Sequence, residues 1–234
     1  MEAKVDELSK SVLSQLEASP RDHRILIGVC GIPGSGKSSL AQRVVGTLNR
    51  LSRSSPHGAN NEDDIAILIG MDGWHYTRSA LSAFPDPKEA FDRRGAEFTF
   101  DSARFARFVQ SLRRPGEELR APSFDHAQKD PIEDDVVVRP CHRAVVVEGL
   151  YCNCNVGEWA KAASEFDQRW VCLIARDEAR KRLVKRHVVT GVAKDEEEAR
   201  WRADNNDLPN GDWLMQHLLE PYTIVESIAE PAWS

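Results

Sequence analysis

The sequence has no apolar run that approaches the roughly 20 residues needed to cross a bilayer. Its first residues, MEAKVDELSKSVLSQLEAS, carry mixed charge and contain no apolar segment of the signal-peptide type. The net charge of −6 provides no basic surplus that would favour nucleic acid or an anionic membrane. We therefore expect no membrane span, no secretory leader and no nucleic-acid partner.

None of the five cysteines has the spacing of a metal or redox pair. Cys152 and Cys154 enclose one residue, whereas zinc knuckles and redox pairs enclose two. A structural zinc site would also need a second ligand pair at the usual spacing, and the sequence offers none. Cysteines beside apolar runs pack as small hydrophobic residues when they are reduced. These features predict a reducing, cytoplasmic compartment.

The sequence does contain short apolar runs that alternate with helical patterns. Val5, Leu8, Val12 and Leu16 recur at helical spacing and predict an amphipathic helix over 1–18. Buried strands are predicted at 25–30, 65–71, 144–151 and 169–175, and a last strand at 222–228. Helices are predicted at 36–51, after the N-cap residue Asp101, at 177–189 and at 195–204. This alternation predicts an α/β fold with a doubly wound, mostly parallel sheet.

Three segments do not fit this alternation. Residues 52–64 are polar and rich in turn formers, which predicts a surface insert. Residues 77–100 show no periodicity and are expected to be irregular. Residues 118–125 and 134–140 are expected to pair as a small β-ribbon. We expect an N-terminal helix over 1–20 and one further domain over 21–234.

Residues 31–38, GIPGSGKS, match the pattern G-x-x-x-x-G-K-[ST] between a buried strand and a helix. The glycines let the backbone curl around phosphate oxygens, and the helix start adds its positive end. Lys37 is predicted to reach the β- and γ-phosphates, and Ser38 to bind Mg²⁺. The alternative is a glycine-rich turn without a ligand. The predicted ATP-binding residues are Gly31, Ile32, Pro33, Gly34, Ser35, Gly36, Lys37, Ser38 and Ser39.

Other P-loop classes leave signals that are absent from this sequence. It has no Asn-Lys-x-Asp motif of guanine-specific switches and no Leu-Ser-Gly-Gly motif of transporters. This absence favours a small-molecule kinase, which needs a base for the acceptor hydroxyl. Asp72 directly follows a buried strand and is the predicted base, although an aspartate before glycine is also typical of a turn.

Further charged residues are expected around the phosphates. Glu148 ends a buried strand at the position that holds Mg²⁺ in P-loop proteins, with a purely structural hydrogen bond as the alternative. Arg182 and Arg186 lie one turn apart on a predicted helix. They could close over the transferred phosphoryl group, or they could belong to a solvated charged face.

These motifs together resemble the superfamily of uridine kinases, phosphoribulokinases and bacterial-type pantothenate kinases. The resemblance rests on GIPGSGKSS, MDGWHY, APSFDHAQKDP, VVVEGLY and RLVKRHVVTG, and covers about residues 24–230. RRGAEFTFD (93–101) and NDLPN (206–210) resemble its uridine-kinase-like and fructose-kinase-like subgroup of fungi and bacteria. It implies a P-loop fold of adenylate/uridine kinase type, with an acceptor region at 72–140 and a helical lid at about 176–212.

The resemblance also implies roles for individual residues. Asp72 would be the base, with Lys37 on phosphate, Ser38 and Glu148 at the metal, and Arg182 and Arg186 in the lid. The implied acceptor-binding residues are His75, Tyr76, Arg93, Arg94, Asp125 and His126. The ribbon lacks the His-x-Arg pair that follows the aspartate in uridine kinases, which argues against uridine itself.

The two neighbouring arginines of the acceptor region bear on the kind of acceptor. The guanidinium groups of Arg93 and Arg94 suit an acceptor carboxylate or phosphate, with salt bridges to Asp86, Glu89 or Asp92 as the alternative. His75, His126 and Tyr76 can hydrogen-bond to acceptor hydroxyls.

The resulting hypothesis is an ATP- and Mg²⁺-dependent kinase that phosphorylates a hydroxyl of a nucleoside, a sugar or a pantothenate-like alcohol. One alternative is a regulatory P-loop protein that binds nucleotide without acceptor chemistry. Another is a nucleic-acid end kinase, which the acidic balance disfavours. The superfamily includes dimers and tetramers, so a homodimer is an open expectation.

Overall fold

The computed structural model describes residues 2–54, 63–114 and 116–227, in which strands alternate with helices. The strands are β1 (Ile25–Gly31), β2 (Ala66–Gly70), β3 (Leu119–Asp125), β4 (Asp130–Val138), β5 (Ala144–Glu148), β6 (Gln168–Leu173) and β7 (Thr223–Glu226). The helices are α1 (Glu2–Ala18), α2 (Lys37–Arg53), α3 (Arg78–Ser82), α4 (Pro87–Asp92), α5 (Ser102–Ser111), α6 (Gly157–Ser164), α7 (Arg176–Val189), α8 (Glu196–Arg202) and α9 (Leu208–Gln216).

The central sheet has the order β2-β5-β1-β6-β7, and all of its pairings are parallel. β3 and β4 form a separate antiparallel ribbon with an irregularity between Ala121 and Ser123. The predicted α/β fold with a parallel sheet and an appended ribbon is therefore confirmed. The carboxyl ends of β1, β5 and β2 lie side by side at one edge, where ligands bind in open sheets of this kind.

Residues of β1 alternate between two hydrophobic layers. Leu26 and Cys30 join the layer with α5, α6 and the ribbon. Ile25, Ile27 and Val29 join the layer with α1 and α2. Because both faces are covered, the strand is apolar throughout, as its sequence indicates. Helices α7 and α8 of the predicted lid share a smaller hydrophobic core. This core is rich in alanine and packs against Ile32 of the phosphate-binding loop.

The segment at 77–100 was predicted to be irregular, and this prediction was wrong. It contains α3, α4 and a 3₁₀ turn at Glu97–Thr99. Thr77 and Asp86 each cap one of the two helices by accepting a backbone hydrogen bond. These helices are five and six residues long, which is too short for helical periodicity to show. The predicted cap at Asp101 is confirmed, since its side chain accepts from the Arg104 amide.

Two further helices, α6 and α9, were also not predicted from the sequence. α6 buries mainly Trp159 and two alanines, so its apolar signal is weak. α9 contains Pro209 and Gly211, which normally indicate a turn, but the proline stands in the first helical turn, where it is tolerated. Between α8 and α9 the backbone forms a π-helical turn at Ala203–Asp207, so the helix predicted to end at 204 ends at Arg202.

Other predicted boundaries shift by a few residues. The second ribbon strand begins at Asp130 rather than at 134. α2 continues to Arg53, and residues 55–62 of the insert lie outside the described residues. The last strand is β7, and the end of the predicted segment at 228 also lies outside them. None of the helices in the described ranges is both long and apolar enough to cross a membrane.

Candidate active site

The strand order brings the predicted catalytic groups to one edge of the sheet. β5 lies between β1 and β2, and Glu148 is in register with Val29 on one side and Gly70 on the other. The phosphate-binding loop follows β1, and Asp72 follows β2 in a 3₁₀ turn at Met71–Trp74. The loop, Glu148 and Asp72 therefore converge, as the strand-end rule predicts.

Two glycines of the loop adopt backbone conformations that other residues rarely take. Gly34 has φ 83° and Gly36 has φ 86°. A Cβ atom on Gly34 would also lie 2.8 Å from the Ala179 carbonyl oxygen of α7. The two glycines therefore allow the tight curvature of the loop, and the loop lies directly against α7.

The Glu148 carboxylate interacts with several charged and polar groups of the site. Its side chain is 14% exposed, and its Oε1 lies 3.9 Å from Lys37 Nζ. Burial and the nearby Asp72 charge raise the pKa of Glu148, whereas the Lys37 charge, a Ser38 hydrogen bond and the Arg186 charge lower it. Each of these four neighbours was predicted from the sequence to lie at the phosphates.

The donor set suits Mg²⁺ only if phosphate and water complete it. Among residues 2–54, 63–114 and 116–227, no group of three or more His, Cys, Asp or Glu side chains could hold a metal ion. Mg²⁺ on nucleotides typically takes one or two protein oxygens and fills its other positions with phosphate and water. The Ser38 hydroxyl and the Glu148 carboxylate fit that requirement.

Asp72 lies on a turn that the ribbon holds in place. Its side chain is 53% exposed and faces His75, with 4.0 Å between Asp72 Oδ1 and His75 Nε2. The neighbouring Gly73 is so close to β3 that a Cβ atom there would lie 2.3 Å from the Pro122 carbonyl oxygen. The ribbon therefore fixes the position of the predicted base.

We expect Gly73→Ala to destabilise the protein by about 1–3 kcal/mol, because the new methyl group forces the turn and the ribbon apart. Urea unfolding measures the change. Gly46→Ala is the matched control, since Gly46 lies inside α2 and a Cβ atom there would have no neighbour within 4 Å. That control should gain about 0.5–1 kcal/mol. Equal stability of the Gly73 variant and wild type would contradict the close packing.

His75 is enclosed by aromatic rings. Its imidazole stacks on Phe100 with 3.8 Å between ring centroids, and it lies 5.1 Å from the Phe124 ring. Burial lowers the pKa of His75 to about 4, although the Asp72 charge acts in the opposite direction. His75 is therefore neutral at physiological pH and can contact an acceptor as a hydrogen-bonding group without charge.

The His75 environment predicts a pH dependence of stability. Below its unfolded pKa of 6.5 the unfolded chain takes up a proton that the folded chain resists until about pH 4. The free energy of unfolding should thus fall on acidification from 6.5 to 4, and His75→Gln should remove about 2–3 kcal/mol of this fall. Urea titrations of both proteins across this range measure it. An equal fall of the free energy of unfolding in both proteins would contradict the attribution of this pH dependence to His75.

The two lid arginines interact with different groups. Arg186 is the one whose charge acts on Glu148. Arg182 donates to Glu178 Oε1 at 3.2 Å and to Ser227 Oγ at 3.1 Å. A Cβ atom on Gly36 would lie 3.4 Å from the same Ser227 oxygen, so the segment after β7 reaches the loop. Ser227 carries no motif, and sequence reasoning missed it.

The two arginines of the acceptor region are occupied by internal partners. Arg94 donates to the carbonyl oxygens of Tyr76 and Lys129 and pairs with Asp130. Arg93 donates to the side-chain oxygens of Asn206 and Asn210. Two of the three carboxylates predicted as alternatives are engaged elsewhere: Asp86 caps α4, and Asp92 pairs with Lys88. These contacts favour structural roles, and binding of an acceptor anion stays a prediction.

Of the remaining predicted acceptor residues, Asp125 and His126 lie at the ribbon turn, and Tyr76 packs against Phe84. Asp125 accepts hydrogen bonds from the Ala127 and Gln128 amides, which fixes the turn. His126 is exposed and packs edge-on against Phe124 at 5.2 Å. The Tyr76 ring packs against Phe84, and burial raises the pKa of its hydroxyl.

Phe124 links these acceptor residues. Its ring contacts both His75 and His126, and the Arg94 guanidinium lies 5.5 Å from its centroid. The ribbon motif of the sequence contains Phe124, but sequence reasoning did not select this residue. Aromatic rings therefore pack against His75, the residue that faces Asp72.

The chain is similar to known kinases over nearly its whole length, although no family model matches it. ATP-dependent kinase-like protein notR' of Aspergillus versicolor is 45% identical over 153 residues, which are 64% of this chain and 89% of that protein. The candidate uridine kinase C227.14 of Schizosaccharomyces pombe is 35% identical over 214 residues, which are 91% of this chain and 87% of that protein. The solved structure of a candidate fructose transport system kinase from Silicibacter sp. TM1040 is 27% identical, with a TM-score of 0.79 and coverage of 94% and 98%.

Proposed function

Because the chain belongs to the uridine-kinase-like family of P-loop kinases, we propose that it transfers the terminal phosphoryl group of ATP to a hydroxyl of a small metabolite. Of the acceptors that the sequence leaves open, a nucleoside or a sugar is proposed rather than a pantothenate-like alcohol, which carries a carboxylate. The observation that carries the proposal is the convergence of Lys37, Glu148 and Asp72 at one edge of the sheet.

The residues of this edge have complementary tasks in phosphoryl transfer. The loop amides and Lys37 hold the phosphates, and Asp72 accepts the proton of the attacking hydroxyl. Mg²⁺, when bound by Ser38 and Glu148, neutralises charge on the phosphates. Arg186 provides positive charge on the lid side of Glu148 and stabilises the group in transfer.

The surroundings of Asp72 favour an uncharged acceptor with a ring. Asp72 faces the neutral His75, whose ring packs against Phe124. The Arg94 charge is already balanced by Asp130. An acceptor carboxylate or phosphate would have to displace that internal partner, which costs free energy.

Several wider expectations accompany the proposal. All five cysteines are free thiols, which is consistent with the reducing cytoplasm that the sequence predicts. The absence of a nucleic-acid partner and the formation of a homodimer stay predictions, and size-exclusion chromatography with light scattering measures the latter.

ADP formation against a panel of acceptors tests the proposal. The panel contains uridine, cytidine, nicotinamide riboside and fructose, together with the anionic alcohols pantothenate, glycerate and ribulose 5-phosphate. We expect an uncharged acceptor with a ring, such as uridine, cytidine or fructose, to stimulate ADP formation. If only anionic alcohols stimulate it, the kinase stands and the acceptor class is wrong. Nucleotide binding without stimulation by any acceptor would favour the regulatory alternative.

A further inference from the structure

Two sequence segments that the proposed chemistry does not use lie against each other. Residues 93–95 follow α4, and residues 206–210 join the π-helical turn to α9. Asn206 and Asn210 are buried in this contact, at 3% and 4% exposure. Buried side-chain amides need hydrogen-bond partners, and the partners of these two include groups of residues 93–94 in the acceptor region.

The contact is an amide junction, which we define as Asn206, Asn210 and Arg93. Arg93 Nε donates to Asn206 Oδ1 at 3.4 Å, and Arg93 Nη2 donates to Asn210 Oδ1 at 3.2 Å. Asn206 Nδ2 donates to the Arg94 carbonyl at 3.1 Å, and Asn210 Nδ2 donates to Asn206 Oδ1 at 3.3 Å. Asn206 therefore holds a side chain and a main-chain carbonyl of the same loop.

On one side the junction reaches the nucleotide loop and the lid. Gly211, next to Asn210, lies so close to Ile32 that a Cβ atom there would be 3.0 Å from the Ile32 side chain. Asp207, next to Asn206, binds the buried His187 of α7 at 2.8 Å. The junction stands on a π-helical turn, an uncommon element that is frequent at functional sites.

On the other side the junction reaches the predicted base. The Arg94 guanidinium donates to the Tyr76 carbonyl at 2.9 Å. Tyr76 directly follows His75, whose ring faces Asp72. The Tyr151 hydroxyl donates to the Gly95 carbonyl at 2.9 Å, which fixes the end of the loop. A continuous set of contacts thus joins Ile32 to the Asp72 turn.

We infer that Asn206 is a positioning residue that joins the acceptor loop, residues 93–95, to the lid. Nucleotide that orders the lid and the phosphate-binding loop then also orders the acceptor pocket, because the loop cannot move independently. With such coupling, nucleotide binding lowers the entropic cost of ordering the acceptor pocket when the acceptor binds. The inference rests on the nucleotide site of the proposed function, but it does not depend on the identity of the acceptor.

Hydrogen exchange with mass spectrometry on the full chain tests the inference, with and without Mg²⁺ and a non-hydrolysable ATP analogue. In wild type we expect the analogue to slow exchange in peptides that cover both the phosphate-binding loop and 93–100. In Asn206→Ala the analogue should still protect the phosphate-binding loop, whereas the protection at 93–100 should be lost. Calorimetric titration of the analogue reports nucleotide binding separately.

Asn205→Ala is the matched control. Asn205 is the adjacent residue, is exposed, and donates to the Trp201 carbonyl of the preceding helix α8. It should retain the protection of wild type. If Asn206→Ala does not fold, Asn206→Asp serves instead, since it keeps the acceptor for Arg93 but cannot donate to the Arg94 carbonyl. That variant should lose protection around residue 94.

Four outcomes separate the claims. Protection at 93–100 that persists in the Asn206 variants would overturn the inference, as would bound analogue that leaves 93–100 unprotected in wild type. A wild-type protein that does not bind the analogue would overturn the nucleotide site itself and the inference with it. Binding with coupled protection, but without acceptor phosphorylation, would support the inference and count against the kinase proposal.

Discussion

Replacing Asp72 with asparagine is expected to lower the rate of acceptor phosphorylation by about 10²–10⁴-fold, the usual contribution of a general base. Asparagine has the shape of aspartate but cannot take the proton of the acceptor hydroxyl. Asp72 is half exposed at the end of β2, so the change leaves no buried group unpaired. We therefore expect the loss in kcat, with nucleotide binding and stability close to those of wild type.

Asp92→Asn is the control for this experiment. Asp92 is also an exposed carboxylate of the acceptor region, but its partner is Lys88 one helical turn away. An exposed pair of this kind contributes little, so the control should keep the activity of wild type. An Asp72 variant that phosphorylates acceptor at the wild-type rate would exclude this carboxylate as the base.

Replacing Arg186 with glutamine is expected to lower kcat by about 10²–10³-fold, the effect of removing one donor from a developing negative charge. Arg186 is the lid cation whose charge acts on Glu148, where its loss would also raise the pKa of that carboxyl further. We expect kcat to fall more than nucleotide affinity, because the positive charge matters most while the phosphoryl group is in transfer.

Lys185→Gln provides a charge-matched control for Arg186. Lys185 is the preceding residue of α7 and is exposed, so its removal changes the net charge of the helix by the same amount. The control should retain its kcat. Equal losses in both variants would show that the lid acts through its overall charge, and no loss in either would contradict the role of Arg186.

The sequence predicts the centre of the sheet well because β1 and β5 are buried on both faces. β1 is apolar at almost every position, which identifies a parallel strand without any information on its neighbours. The strand-end rule then places Asp72 and Glu148 beside the loop, although the order of β2, β5 and β1 cannot be derived from one sequence.

The features that sequence reasoning missed depend on contacts between distant segments. Arg93 and Asn206 lie 113 residues apart in the chain, and nothing local indicates that they meet. α9 forms although it contains Gly211, because the glycine lets the helix pack directly on Ile32. Tertiary packing therefore overrides the turn signal of Pro209 and Gly211.

Transfer of labelled phosphate into small molecules tests the proposed kinase activity most directly. ATP labelled in its γ-phosphate is incubated with a protein-free metabolite extract and wild-type protein, and labelled products are separated and identified. We expect a labelled phosphate ester with wild type and almost none with Asp72→Asn. Labelled inorganic phosphate alone, or the same ester from both proteins, would contradict the proposed transfer to an acceptor with Asp72 as its base.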